Sequence, residues 1–165
     1  MEIRYKNNVE DIVALSENLL ANDTRLIKRK RWALYGCPFI LLLSFSLLAV
    51  IKTAPEYYAG AVLGSIFLYF WVFYLYKNHS KKVAHIARKK VFKEHTITLS
   101  SDGINEKTED STSYNKWLSI HRISITAEYV FVYNTPVTAH IISKHEIGDN
   151  TFNAFIKTMN EYVNT

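Results

Sequence analysis

The sequence predicts an α+β membrane protein: a two-helix transmembrane hairpin, then a small cytoplasmic antiparallel β-sheet domain closed by a C-terminal helix. Three observations carry this. Residues 32–51 and 57–76 form two uncharged runs of twenty residues, separated only by Lys52-Thr53-Ala54-Pro55-Glu56. Residues 94–142 carry short segments of alternating or β-branched character broken by turn residues. Phe152, Phe155, Ile156, Met159, Tyr162 and Val163 then recur at helical spacing on one face.

A helix rises about 1.5 Å per residue, so each uncharged run reaches across a hydrocarbon core of roughly 30 Å. The five residues between them leave room only for a turn. A hydrophobic share of 48% and a mean hydropathy of −0.05 look like a soluble chain because both ends are polar and the apolar residues crowd the middle. A 165-residue chain has little protein with which to surround two such helices, so a buried hairpin in a globular core is not expected. The first run also exceeds the roughly 7–15-residue apolar region of a cleaved signal peptide. No lipidation box is recognised at either end, since residue 2 is Glu and the last residues are Tyr162-Val163-Asn164-Thr165.

The N-terminal region, residues 1–23, reads as a strand and an amphipathic helix. Residues 1–6 alternate apolar and charged, a strand period, until Asn7-Asn8 breaks it. Asn8 is a candidate N-cap, with Asp11 at the third helical position, where a carboxylate meets the helix dipole. Val9, Ile12, Val13, Ser16, Leu19 and Leu20 share a face. The helix should end at Asn22-Asp23, with Asp23 or Thr24 capping a basic helix that leads into the hairpin region, residues 24–76.

Charge sets the expected orientation. Arg25, Lys28, Arg29, Lys30 and Arg31 precede the hairpin, and Lys77, Lys81, Lys82, Arg88, Lys89, Lys90 and Lys93 follow it. The far turn offers only Lys52 against Glu56. Lys and Arg near span ends resist translocation, which predicts a multi-pass protein with both termini cytoplasmic. Trp32, Tyr35, Trp71, Tyr74 and Tyr76 mark the inner interface, and Tyr57 and Tyr58 the outer one. In the second span Gly60 and Gly64, extended by Ala61 and Ser65, form a small-residue step for helix packing, against the first span near Gly36, Ser44 and Ala49 or against a second copy. Cys37 lies within a span, and the cysteine-free remainder suits a reducing compartment and excludes thiolate zinc sites.

Residues 77–93 read as a basic juxtamembrane helix. Lys81, Lys82, Arg88, Lys89 and Lys90 are candidate contacts to a lipid surface, each contributing about 1 kcal/mol beside an anionic leaflet; the alternative is that they only set topology. No aromatic platform or recognised fold accompanies them, so nucleic acid is not an expected partner.

The sheet domain, residues 94–165, starts with Ile97 and Leu99 alternating with threonines, then a turn at Ser101-Asp102-Gly103. Ile104 opens a polar strand running to Glu109-Asp110-Ser111. Trp117, Ile120, Ile123 and Ile125 break strict alternation, predicting a bulge or corner. Residues 129–133 are a dense β-former, turned by Asn134-Thr135-Pro136 into residues 137–142, and Asp149 or Asn150 should cap the final helix. About seventy residues are marginal for an independent core, so help from the N-terminal strand and helix is expected.

Several of these segments resemble the YcxB-like bacterial membrane proteins. The likeness rests on Thr98-Leu99-Ser100-Ser101-Asp102-Gly103-Ile104, on Trp117 with Ile120 and Ile123, on Tyr129-Val130-Phe131-Val132-Tyr133, and on Ile141-Ile142-Ser143-Lys144. Family members often have Pro in place of Ser143 and an aromatic residue in place of Ile147. The resemblance implies a bacterial inner membrane location and a pleckstrin-homology-like soluble domain, a strongly bent sheet plugged by its C-terminal helix. It implies no reaction.

The residues themselves point to no chemistry. There is no GxxxxGK or GxGxxG loop and no HExxH pair. His79 and His85 sit among cations; His140 and His145 read as a solvated pair; Glu106, Glu109 and Asp110 read as a solvated hairpin tip. No ionisable side chain interrupts either span, which argues against an ion pathway. The expectation is therefore a membrane-anchored cytoplasmic binding or regulatory module, with no catalytic, cofactor-binding or metal-binding residues. Candidate partners are the bilayer, anionic lipid headgroups, another membrane protein or a second copy of the chain. Two other classes fit the sequence: an immunity protein that blocks a pore-forming toxin through its hairpin, and a membrane-bound enzyme with an unrecognised site.

Overall fold

The computed structural model describes residues 1–52, 56–87 and 92–163, and the chain divides into two compact units. One comprises Met1–Glu17 with Val83–Thr165; the other is Asn18–Lys82. The predicted turn at 52–56 and the candidate lipid contacts Arg88, Lys89 and Lys90 lie outside the residues whose side chains are described.

In the first unit β1 (Glu2–Lys6) pairs antiparallel with β2 (Glu94–Leu99), from Glu2 opposite Thr98 to Lys6 opposite Glu94. Two adjacent strands of one sheet are thus joined by everything between residues 6 and 94. β3 (Gly103–Lys107) and β4 (Thr112–Lys116) complete a four-stranded sheet in the order β1-β2-β3-β4. Gly103 is required at its position: a Cβ there would run into the Asn115 carbonyl across the β3–β4 pair. The predicted corner is a 3-10 turn at Trp117–Ser119, held by the Trp117 indole donating to the Ser100 carbonyl at 3.0 Å. There the chain passes to a second sheet, β5 (Arg122–Ile125), β6 (Tyr129–Tyr133) and β7 (Ala139–Ser143). β7 begins two residues later than the sequence suggests, because Thr135 and Thr138 hydroxyls, 2.6 Å apart, close the preceding loop.

The core lies between the sheets. Ile3 and Tyr5, Ile97 and Leu99, Ile104, Val130 and Val132, and Ile142 meet Phe152, Phe155 and Met159 of the last helix, α7 (Asp149–Val163). A short helix not foreseen from the sequence, α6 (Lys144–Ile147), precedes it. Neither Asp149 nor Asn150 caps α7: Gly148, at φ +78°, separates the helices, and its carbonyl accepts from Phe152 N at 2.9 Å. Asp149 is already in the first turn, ion-paired with Lys144 at 3.3 Å.

α1 (Val9–Asn22) opens with a reciprocal cap. Asn8 Oδ1 accepts from Glu10 N at 2.7 Å and Asp11 N at 3.1 Å, while Asn8 N donates to Asp11 Oδ2 at 2.7 Å. Asp11 is 1% exposed and sits beside the Ser143 and Tyr129 hydroxyls, so the start of α1 covers the outer face of the three-stranded sheet.

The second unit begins its long helix at Asp23, whose Oδ1 accepts from Arg25 N at 2.8 Å and Leu26 N at 3.2 Å and caps α2 (Thr24–Arg31). A π-helical turn, Trp32–Gly36, joins α2 to α3 (Cys37–Lys52). The cause is local. Pro38 has no N–H, and its ring crowds the carbonyl four residues earlier, so the turn widens and Cys37 N bonds Trp32 O instead. α4 (Glu56–Lys77) packs on α3, and Asn78 bridges it to α5 (His79–Ala87). Tyr35 meets Tyr69, Pro38 meets Ser65 and Leu41 meets Gly64, so the two helices run antiparallel. Thr24–Ile51 and Tyr57–Ala87 are each long and apolar enough to cross a membrane.

Candidate functional site

Lys81 and Lys82 are exposed on α5. In the hairpin a Cβ at Gly64 would come 3.3 Å from Leu41, whereas one at Gly60 would meet nothing within 4 Å. The close approach also uses Ala61, fully buried, and Ser65, whose hydroxyl donates to the Pro38 carbonyl at 3.1 Å.

The polar feature missed by sequence reasoning lies inside the sheet unit. Glu106 on β3 holds two imidazoles: His95 Nδ1 of β2 lies 2.9 Å from Oε1, and His140 Nδ1 of β7 lies 3.2 Å from Oε2. Both rings therefore donate Nδ1–H to one carboxylate. The other nitrogen of His140 lies 3.5 Å from the Asn115 amide nitrogen. The carboxylate ties the four-stranded sheet to the three-stranded one. Tyr5 stacks on His95 with centroids 5.5 Å apart, and burial pushes its phenol far above the ordinary range, so it stays neutral.

Two expectations are corrected here. His140 is 5% exposed and paired, not half of a solvated pair with His145. Glu106 is partly buried, while Glu109 and Asp110 remain at the exposed tip. The signal was available. Ile97 sits opposite Glu106 and Leu99 opposite Ile104, so extending the inward alternation by one step on each strand reaches His95 and Glu106. What period alone could not supply was the partner across the core, since His140 arrives from the other sheet.

Burial works against the charged Glu106, but hydrogen bonds and charge from His140 and His95 outweigh it and hold the carboxyl down to about 2, from an ordinary 4.5. A carboxylate with so low a proton affinity is a poor general base near neutral pH, and it is spent on two donors. Asp11 is the opposite case: burial pushes it up, with Glu146 and Glu10 adding repulsion against the Asn8 amide and the Ser143 hydroxyl. Among the described residues no group of three or more His, Cys, Asp or Glu is arranged to hold a metal ion.

Residues 99–159, from the end of β2 into α7, match the family described as YcxB-like protein. No curated protein and no solved structure matches the chain.

Proposed function

We propose that this chain, YcxB-like over residues 99–159, is a membrane-anchored binding or regulatory module without catalysis, working at the cytoplasmic face of the bacterial inner membrane. The observation that carries the reading is the pairing of β1 with β2 across the hairpin. Strands on either side of a membrane insertion can pair only if the chain crosses an even number of times, and two helices of spanning length lie between them. The flanking Lys and Arg favour the cytoplasm for that shared side.

Large apolar side chains facing outward support lipid as the hairpin's solvent: Leu63 and Phe67 are each 68% exposed. Four strands, then three, then a helix that plugs them supports the pleckstrin-homology-like reading of the sheet unit. Tethering raises the sheet's effective concentration toward other membrane components without any new contact. The edge strand β4, with Thr112, Ser113 and Tyr114 exposed, is suited to accept an extended segment of a partner protein.

The test is made on the full chain in its own membrane. Single cysteines placed at Ser101 and Glu161, with Cys37 replaced by Ser, should react with an impermeant maleimide only when the cytoplasmic face is accessible. The protein should also resist alkaline carbonate extraction. Photo-crosslinkers placed at Ser113 should capture a discrete membrane partner. A carbonate-soluble chain, or labelling at Ser101 from the outside, rules the reading out.

A further inference from the structure

The base of the hairpin holds a cleft of about 630 Å³, within the roughly 300–1,000 Å³ range of small-molecule sites. Lys30, Arg31 and Lys77 line it together with Tyr35, Tyr69 and Tyr76. Leu34 and Phe73 supply apolar wall. Lys30 Nζ lies 5.6 Å from the Tyr76 ring centroid, and Tyr35 and Tyr69 face each other at 6.2 Å. Among the described residues no carboxylate forms an ion pair with any of the three cations.

The π-turn bears on this site. One extra residue in a turn rotates what precedes it by about 100° around the helix axis. Trp32–Gly36 itself contributes Leu34 and Tyr35 to the lining, and Lys30 and Arg31 come immediately before it. The widening forced by Pro38 thus helps decide which side of the helix those two cations occupy.

We propose that this cleft binds the phosphate of an anionic phospholipid, with the first part of the acyl chains against Leu34 and Phe73. The inference rests on the hairpin lying in the bilayer. Lys30, Arg31 and Lys77 stand where charge gives way to apolar sequence on both helices, the level of lipid headgroups. A small soluble anion would satisfy the cations and leave the apolar walls wet. A zwitterionic lipid would cover the walls and bring no net counter-charge. An anionic phospholipid meets both: the Arg31 guanidinium can take two phosphate oxygens, the lysines add point charges, and the tyrosine hydroxyls add donors.

The full chain is reconstituted in nanodiscs of phosphatidylcholine alone and with phosphatidylglycerol. Bound lipid is counted by native mass spectrometry after release into detergent, and thermal stability is followed as phosphatidylglycerol is titrated in. The expected result is retained phosphatidylglycerol and a raised melting temperature, with K30Q/R31Q/K77Q lowering apparent affinity at least roughly tenfold. K81Q/K82Q, on the exposed face of α5, should leave the preference intact. Equal retention of the two lipids, equal loss in both variants, or displacement by millimolar inorganic phosphate would overturn the cleft. A chain that fails to enter phosphatidylcholine discs overturns the membrane reading and this site with it, whereas one that enters but shows no preference overturns the site alone.

Discussion

The hairpin and the sheet unit sort their side chains in opposite directions. In the sheet unit the large residues go in: Phe155, Ile97, Ile104 and Ile142 are fully buried. In the hairpin the small residues go in, with Ala49 and Ala61 buried, while Leu63, Phe67 and Phe70 point out. Water drives the first arrangement, because each large apolar side chain removed from it contributes about 1.5–3 kcal/mol. In hydrocarbon that gain vanishes. Helices then associate through close backbone approach and an occasional hydrogen bond, here Gly64 on Leu41 and Ser65 on Pro38. On the proposed membrane reading the inversion is what one chain built for two solvents should show, and it can be broken from either side.

The largest expected effect is in the sheet core. Phe155→Ala should cost about 3–5 kcal/mol, read as a lower midpoint in urea from Trp117 fluorescence in a background with Trp32 and Trp71 replaced by Phe. The matching break in the hairpin is Leu63→Arg. If Leu63 faces lipid, the charge costs about 2.5–3.5 kcal/mol and the protein is lost from the membrane fraction. Leu118→Arg, at a fully exposed position of the sheet unit, should stay within about 0.5 kcal/mol and serves as the control. Equal tolerance at the two exposed leucines would contradict a lipid-facing hairpin.

The buried Asp11 and the partly buried Glu106 sharpen the comparison within the sheet unit. Glu106 is held below its unfolded value, so its stabilisation is present above about pH 4.5 and drains away as pH falls toward 2. That contribution is on the order of 3 kcal/mol, and E106Q should flatten this part of the stability–pH curve. Asp11 has the opposite sign. Its raised value means that the folded state favours the proton, so its contribution worsens as pH rises through the carboxylate range. D11N should therefore match or exceed the parent at neutral pH, while D11A, losing the cap, should fall by about 1 kcal/mol in the same urea assay. The smallest effect is Ser65→Ala, about 0.6 kcal/mol of hairpin stability, measured by steric trapping or by unfolding in mixed micelles.

Local pattern carried most elements. The uncharged runs, the Asn8 and Asp23 caps, the Trp117 corner and the face of α7 each depend on residues within a turn or two of one another. The π-turn was equally local, with Pro38 as its cause, yet a periodicity count does not register one inserted residue. The start of α7 went to Gly148 because only a positive φ lets the chain leave α6 and begin again within one residue.

By itself, then, the sequence determined where most strands and all the helices except the short α6 would form, and which two stretches are long and apolar enough to cross a membrane. Only the tertiary structure decided that β1 pairs with β2 across the hairpin, that His140 joins His95 on Glu106, and that three cations meet three tyrosines at the hairpin base. The reason is separation along the chain. Periodicity and capping report on neighbours a few residues apart, whereas these contacts join residues that only the completed packing brings within reach.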